Sequence, residues 1–222
     1  MQRFLNLALL AGLALPIAAQ EPDLAAGQFL VASRDLRDPN FAEAVVLIVR
    51  YDEDEGAMGV VINRRSDLPL SRVFESFKEA KDRTDCAFMG GPVQPGDVLA
   101  LLRTADAPDD ALRVFSSIYL LSTKDLLKKA LARKVDESMF HVYLGYAGWG
   151  PGQLEHEVSL GAWHIMPADA GTVFEADPEA VWPRLIRRTE LQIARRSVFH
   201  GRLVDTNIVD RHLLRKNRRV IG

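Results

Sequence analysis

The residue types best suited to chemistry lie in a glycine-rich run between residues 145 and 157. Four glycines there follow a predicted strand and precede a predicted helix, where backbone amides and the positive end of a helix dipole are able to bind an anion. The spacing does not match a dinucleotide-binding fingerprint, because Gln153 takes the place of its last glycine, and no Gly-Lys-Ser/Thr of a P-loop follows. Glu155 and Glu157 would also repel a phosphate. The pattern therefore favours a structural role, in which the glycines permit a tight turn and close packing.

Residues suited to metal binding or catalysis form no recognised motif. Glu155, His156 and Glu157 are adjacent, and neighbouring side chains on a helix point about 100° apart, so they cannot converge on one ion. The remaining histidines are scattered, and Ser159 lacks the first glycine of a nucleophile elbow. Cys86 is the only cysteine, which excludes an intramolecular disulfide. We expect no metal, no cofactor and no catalytic residue, and this favours a non-enzymatic protein.

An alternative hypothesis places a small-ligand or enzyme site around five polar and aromatic residues. They are Asn63, Arg64, Trp149, Gln153 and Glu155. Convergence of these side chains on a polar pocket with a perturbed carboxylate would favour this hypothesis. Burial of Trp149 and outward-facing acids would count against it.

The elements that must position these residues are an irregular mixture of strands and helices. Apolar and β-branched runs predict strands over 29–33, 43–50, 58–63, 86–89, 98–102, 114–121, 140–144 and 163–166. Helical periodicity or capping residues predict helices over 70–77 and 123–134 and a last helix from Asp177. The chain has 222 residues, 48% of them hydrophobic, which is enough for one core. The mixture predicts a single α+β domain.

The first 19 residues have the pattern of a secretory signal peptide. Arg3 precedes a largely apolar stretch from Phe4 to Leu15, and small residues up to Ala19 follow. The apolar stretch is shorter than the roughly 20 residues that span a bilayer. We therefore expect cleavage near Ala19, a periplasmic or secreted protein, and no transmembrane helix in the mature chain. A buried N-terminal helix is the competing interpretation.

Charge is unevenly distributed along the chain. The formal net charge is -2, yet ten basic and three acidic residues between Ile186 and Gly222 give that segment +7 and leave -9 for the rest. Basic residues of this kind are able to contact the phosphates of nucleic acid or of anionic lipid, so a cytosolic regulator that binds nucleic acid through its tail is a second alternative. A solvated helix and loose end is the interpretation we favour, because only Phe199 could stack on a base.

Six short motifs resemble, in their order, those of the YqgE/AlgH family. They are Gly27-Gln-Phe-Leu-Val-Ala32, Leu36-Arg-Asp-Pro-Asn-Phe41, Gly56-Ala-Met-Gly-Val-Val-Ile-Asn63, Gly90-Gly-Pro-Val93, the glycine run over 145–157, and Gly161-Ala-Trp163. The resemblance spans about Leu24 to Trp182. It implies coiled, bifurcated, mostly antiparallel sheets flanked by helices, in a family that is usually cytoplasmic, uncharacterised and sometimes named as transcriptional regulators. It brings no catalytic residues.

Together these observations predict three segments and one function. The segments are a signal peptide over 1–19, a YqgE/AlgH-like domain over 20–185 and a basic extension over 186–222. The function is that of a non-enzymatic binding or regulatory module exported to the envelope.

Overall fold

The computed structural model describes residues 24–195. The predicted leader over 1–19 and most of the basic extension lie outside the described residues. Within this range, ten strands form a mostly antiparallel sheet flanked by five helices. The predicted α+β class is therefore confirmed.

The strands are β1 (Gln28–Ala32), β2 (Val45–Asp52), β3 (Gly56–Val61), β4 (Arg65–Pro69), β5 (Cys86–Met89), β6 (Val93–Arg103), β7 (Leu112–Phe115), β8 (Ile118–Leu121), β9 (Phe140–Trp149) and β10 (Trp163–Pro167). The helices are α1 (Leu70–Val73), α2 (Lys124–Ala132), α3 (Gln153–Ser159), α4 (Ala170–Val173) and α5 (181–195). Short 3-10 turns at Lys78–Ala80, Glu137–Met139 and Pro178–Ala180 lie between them.

Strand β9 joins the two halves of the sheet. The strand order is β10-β1-β2-β3-β9-β6-β8-β7, with β5 beside β9 and β4 beside β5. The last residues of β9 pair with β3, and its first residues pair with β6 on one side and, in parallel, with β5 on the other. The sheet therefore divides at β9, as the bifurcated arrangement implied by the family resemblance requires.

Side chains alternate across β9 and so contribute to two core clusters. Tyr143 belongs to the first cluster, which also contains β1, β2, β3 and one face of α5. Phe140 and Val142 belong to the second cluster, beneath α1 and α2. Helix α2 begins where the Thr123 hydroxyl accepts the Leu126 N–H at 3.3 Å, and its apolar stripe covers this second cluster.

The glycine run differs from the predicted turn. Strand β9 continues through Gly145 and Gly148 to Trp149, and only residues 150–152 turn before α3 begins. The chain enters α3 through Gly152, whose φ of 73° is accessible to glycine at little cost. Hydrogen bonding of β9 to both β3 and β6 outweighs the low strand propensity of glycine.

Other elements also differ from the predictions. The single strand predicted over 114–121 is a hairpin, β7 and β8, which turns at Ser116 with a φ of 44°. The helix predicted over 70–77 ends at Val73. The edge strand β4 and the short helix α4 were not predicted, because each is too short to show a periodic hydrophobic pattern.

Candidate binding site

Asn63 and Arg64 follow β3 and hold the loop over 40–44. The Asn63 side chain accepts the Val45 N–H at 2.8 Å and donates to a loop carbonyl at 2.9 Å. The Arg64 guanidinium donates to two further carbonyls of the same loop. Burial lowers the pKa of the Arg64 guanidinium, against an opposing effect of the Asp38 carboxylate. These bonds fix the position of Phe41 at the tip of the loop.

Phe41 packs against two tryptophans that share one carboxylate. Its ring stacks on Trp149 with centroids 6.0 Å apart and meets the edge of Trp163 at 5.5 Å. Both indole N–H groups donate to the Oε2 atom of Glu157, at 3.0 Å from Trp149 and 2.8 Å from Trp163. The Gln153 amide donates to the Oε1 atom of Glu157 at 3.0 Å. We call these five residues the indole–carboxylate cluster.

The first turns of α3 complete the network around this cluster. The side-chain amide oxygen of Gln153 accepts the Gly150 N–H at 3.2 Å, and the Glu155 carboxylate accepts the Tyr51 hydroxyl proton at 2.7 Å. Each predicted site residue therefore makes hydrogen bonds within the protein. The indole N–H is the only polar group of a tryptophan side chain and acts only as a donor. Glu157 therefore satisfies the hydrogen-bonding group of both tryptophans.

The five residues of the alternative site are near one another but are bound to different neighbours. Trp149 and Gln153 bind Glu157, Glu155 binds Tyr51, and Asn63 and Arg64 bind the loop. Trp149 is only 5% exposed, which is the observation expected to count against a ligand pocket there. These interactions connect the end of β9 to α3, to β10 and to the loop over 40–44.

Sequence reasoning missed Phe41, Trp163 and Glu157 as partners of Trp149. A usable signal was present, because buried tryptophans need an acceptor and Glu157 lies eight and six residues from the two indoles. We instead interpreted Glu157 as a charge that would repel phosphate and as a member of a rejected metal-binding or acid-base group.

A second region, a cleft between α1 and α2, has the shape of a binding site. Its volume is about 380 Å³. The residues that line it are Val73, Phe74, Ser76, Phe77, Gly96, Asp97, Val98, Leu99, Ser122, Lys124 and Leu127. Six of them are apolar, and the rings of Phe74 and Phe77 stack with centroids 5.4 Å apart. The side chains of Asp97 and Lys124 are exposed and take part in none of the side-chain hydrogen bonds or ion pairs within residues 24–195.

A β-bulge shapes one wall of this cleft. The register of β6 against β9 shifts between Val93 and Val98, and Gln94 has a φ of 45°. Gly145 lies opposite with a φ of 68°, and a Cβ there would come within 2.6 Å of the Gly91 carbonyl oxygen. Only glycine fits this position without displacing the bulge. The bulge carries the Asp97 side of the cleft.

The part of the chain seen in the structure offers little to a metal ion or a membrane. Its histidine, cysteine and acidic side chains form no group of three or more that could hold a metal. None of the helices over 24–195 is long and apolar enough to cross a bilayer. His141 is buried between the rings of Phe88 and Phe174, at 4.4 and 4.9 Å, and burial lowers its pKa to about 4.

Comparison with known proteins assigns the chain to a family. The model of the AlgH-like family, DUF179, matches residues 29–194. The chain belongs to the AlgH-like family. A UPF0301 protein of Streptomyces avermitilis is 36% identical over 177 residues, which cover 76% of this chain and 88% of the relative. A UPF0301 protein of Thioalkalivibrio sulfidiphilus is 37% identical over 170 residues, covering 75% and 90%.

Two solved structures share the AlgH-like fold. The solution structure of the AlgH protein from Pseudomonas aeruginosa has a TM-score of 0.64 and 32% identity, covering 78% of this chain and 93% of that one. The crystal structure of protein DIP2367 from Corynebacterium diphtheriae has a TM-score of 0.62 and 25% identity, covering 76% and 89%. The resemblance to the YqgE/AlgH family is thereby confirmed. None of these names states a substrate or a reaction.

Proposed function

We propose that this AlgH-like protein is a non-enzymatic binding module, exported to the envelope, whose binding site is the cleft between α1 and α2. One contrast carries the proposal. The polar groups of the indole–carboxylate cluster are bound to one another, whereas Asp97 and Lys124 at the cleft have no such partners within residues 24–195.

The composition of the cleft supports binding rather than catalysis. Small-molecule sites are typically apolar concavities of about 300–1,000 Å³ with a few polar groups at their edge, and the cleft has a volume of about 380 Å³. A catalytic site needs a nucleophile or base held by a third group. The cleft residues Ser76 and Ser122 have no histidine beside them among its lining residues.

Export is supported by the sequence of the leader and has its own test. Cell fractionation combined with the intact mass of the purified protein reports both the compartment and the mature N-terminus. We expect a product that starts near Gln20 in the envelope fraction. An intact Met1 form in the cytosol would refute export while leaving the binding site untouched.

Binding is tested with an uncharged fluorescent probe, N-acetyl-2-naphthylalanine methyl ester, titrated against the mature protein. We expect saturable binding at one site. Phe77→Ala should weaken it about tenfold, because an aromatic contact contributes about 0.5–1.5 kcal/mol beyond its buried area. The matched control is Phe115→Ala, the same change at a half-buried position in the other core cluster.

Two results would contradict the proposed binding function. One is a fluorescence titration that shows no saturation with the parent protein. The other is an equal loss of affinity in Phe77→Ala and Phe115→Ala, because a general loosening of the fold would then explain both. Denaturation curves of the two variants show whether each is folded under the titration conditions.

A further inference from the structure

We infer that the ligand of the α1–α2 cleft is a small zwitterion that carries an aromatic group, of the chemical type of an aromatic amino acid. This inference rests on the proposed function, since it names the ligand class of the same cleft. Three features of the cleft support it: its apolar floor, the two opposite charges at its rim, and the bulge that places one of them.

The floor of the cleft matches an aromatic ring. Phe74 and Phe77 are stacked with an interplanar angle of 16°, and they present ring surface next to Leu99 and Leu127. A planar apolar group gains both buried area and offset stacking in such a place. The volume of about 380 Å³ is near the lower end of the usual range for small-molecule sites, which favours a compact ligand over a peptide or a lipid chain.

The charges of the rim match a zwitterion. Asp97 and Lys124 line the same cleft, yet they form no ion pair with each other in the described part of the chain. A ligand with only a negative charge would satisfy Lys124 but would lie near the carboxylate of Asp97. A ligand with only a positive charge would have the reverse conflict. A molecule with an ammonium and a carboxylate complements both residues.

The position of Asp97 is set by strand β6, which is paired with β9 on both sides of this residue. Asp97 lies in the bulged stretch of β6, between Val93 and Val98, which are the residues that pair with β9 on either side of the bulge. Gly145 permits that bulge because its backbone lies close to the Gly91 and Val93 carbonyls. Bulges of this kind commonly re-aim a side chain next to a functional site. Gly145, the first glycine of the run over 145–157, therefore supports the acidic side of the cleft.

The test uses four probes that share one naphthyl group and differ only in charge. They are 2-naphthylalanine, a zwitterion; its N-acetyl derivative, an anion; its methyl ester, a cation; and the N-acetyl methyl ester, which is uncharged. Each is titrated against the mature protein by naphthyl fluorescence. We expect the zwitterion to bind tightest, with each missing charge weakening binding by about two- to fivefold, as is typical of exposed charge pairs.

Single substitutions assign each preference to one residue. Asp97→Asn should abolish the preference for the free ammonium and keep the preference for the carboxylate. Lys124→Gln should do the opposite. Asp125→Asn and Lys128→Gln are the matched controls, since both residues are exposed on α2 but do not line the cleft, and they should leave all four affinities unchanged.

The outcomes separate this inference from the proposed function. Saturable binding of all four probes with equal affinity would refute the inference that the ligand is a zwitterion. It would still support the proposed binding site. A charge preference that survives both Asp97→Asn and Lys124→Gln would overturn the assignment of its residues. Failure of every probe to saturate would overturn the proposed function, and this inference with it.

Discussion

The indole–carboxylate cluster and the α1–α2 cleft differ in how their polar groups are paired. In the cluster, Glu157 accepts three hydrogen bonds from its neighbours, and two buried indoles are satisfied by one oxygen. In the cleft, Asp97 and Lys124 border an apolar floor without any partner seen over residues 24–195. Aromatic residues and charges occur in both regions, so residue type does not distinguish a structural cluster from a binding site. The pairing of the polar atoms does.

The largest expected effect comes from Gly145→Ala, which should damage the cleft and the fold together. The new Cβ would meet two carbonyl oxygens at 2.6 and 2.8 Å, and alanine is strained at a φ of 68°. We expect a loss of about 4 kcal/mol in the free energy of unfolding, measured by urea denaturation. Gly152→Ala is the control, because its φ is similar at 73° but its Cβ has open space, and it should cost about 1 kcal/mol. Equal losses would show that the bulge does not need Gly145.

Glu157→Ala should break the cluster and spare the cleft. Two buried indole N–H groups lose their acceptor, and each unsatisfied donor costs about 1–3 kcal/mol, so we expect a loss of about 3 kcal/mol in stability. Glu155→Ala removes only the bond from Tyr51 at a half-buried site and should cost about 1 kcal/mol. In both variants the uncharged naphthyl probe should bind with parental affinity once the protein is folded. A selective loss of probe binding in Glu157→Ala would mean that the cluster is part of the binding site.

Acid should weaken the core beneath β9 through His141. Burial, and secondarily the charge of Arg65, lowers its pKa from 6.5 to about 4, against an opposing effect of Asp85. Between pH 6.5 and about pH 4, His141 is therefore protonated in the unfolded chain but neutral in the folded chain. The free energy of unfolding is highest above about pH 6.5 and falls as the pH decreases through this range. The loss between pH 7 and pH 4 is on the order of 3 kcal/mol. Denaturation of the parent and of His141→Phe at about pH 7, 5.5 and 4 measures this loss. Parallel pH profiles of the two proteins would contradict this origin.

The smallest expected effects belong to the rim of the cleft. Asp97→Asn and Lys124→Gln should each change the free energy of unfolding by less than about 0.5 kcal/mol, because neither residue has an interaction to lose. The same urea denaturation series gives the comparison with Glu157→Ala. Destabilisation above about 1 kcal/mol by either rim variant would show that these charges serve the fold and would remove the contrast between the two regions.

The sequence predicts the strands of this fold better than it predicts either region. Val45 to Val49 are apolar at consecutive positions and form a strand that is buried on both faces, as expected. The continuation of β9 through Gly145 was not predictable, because the hydrogen bonds to β3 and β6 that stabilise it come from residues distant in the chain. The cleft was missed for a related reason. Its lining comes from three segments, over 73–77, 96–99 and 122–127, each of which resembles an ordinary helix face, strand or turn when considered alone.

The position of β9 in the chain has a consequence for the order in which the protein is made. Strands β3 and β6 are joined through β9, which ends only at Trp149. During synthesis, the central seam of the sheet cannot close until that residue has left the ribosome, although all eight strands from β1 to β8 precede β9 in the chain. A nascent chain that folds late stays competent for translocation for longer, and this delay suits a protein that we propose is exported.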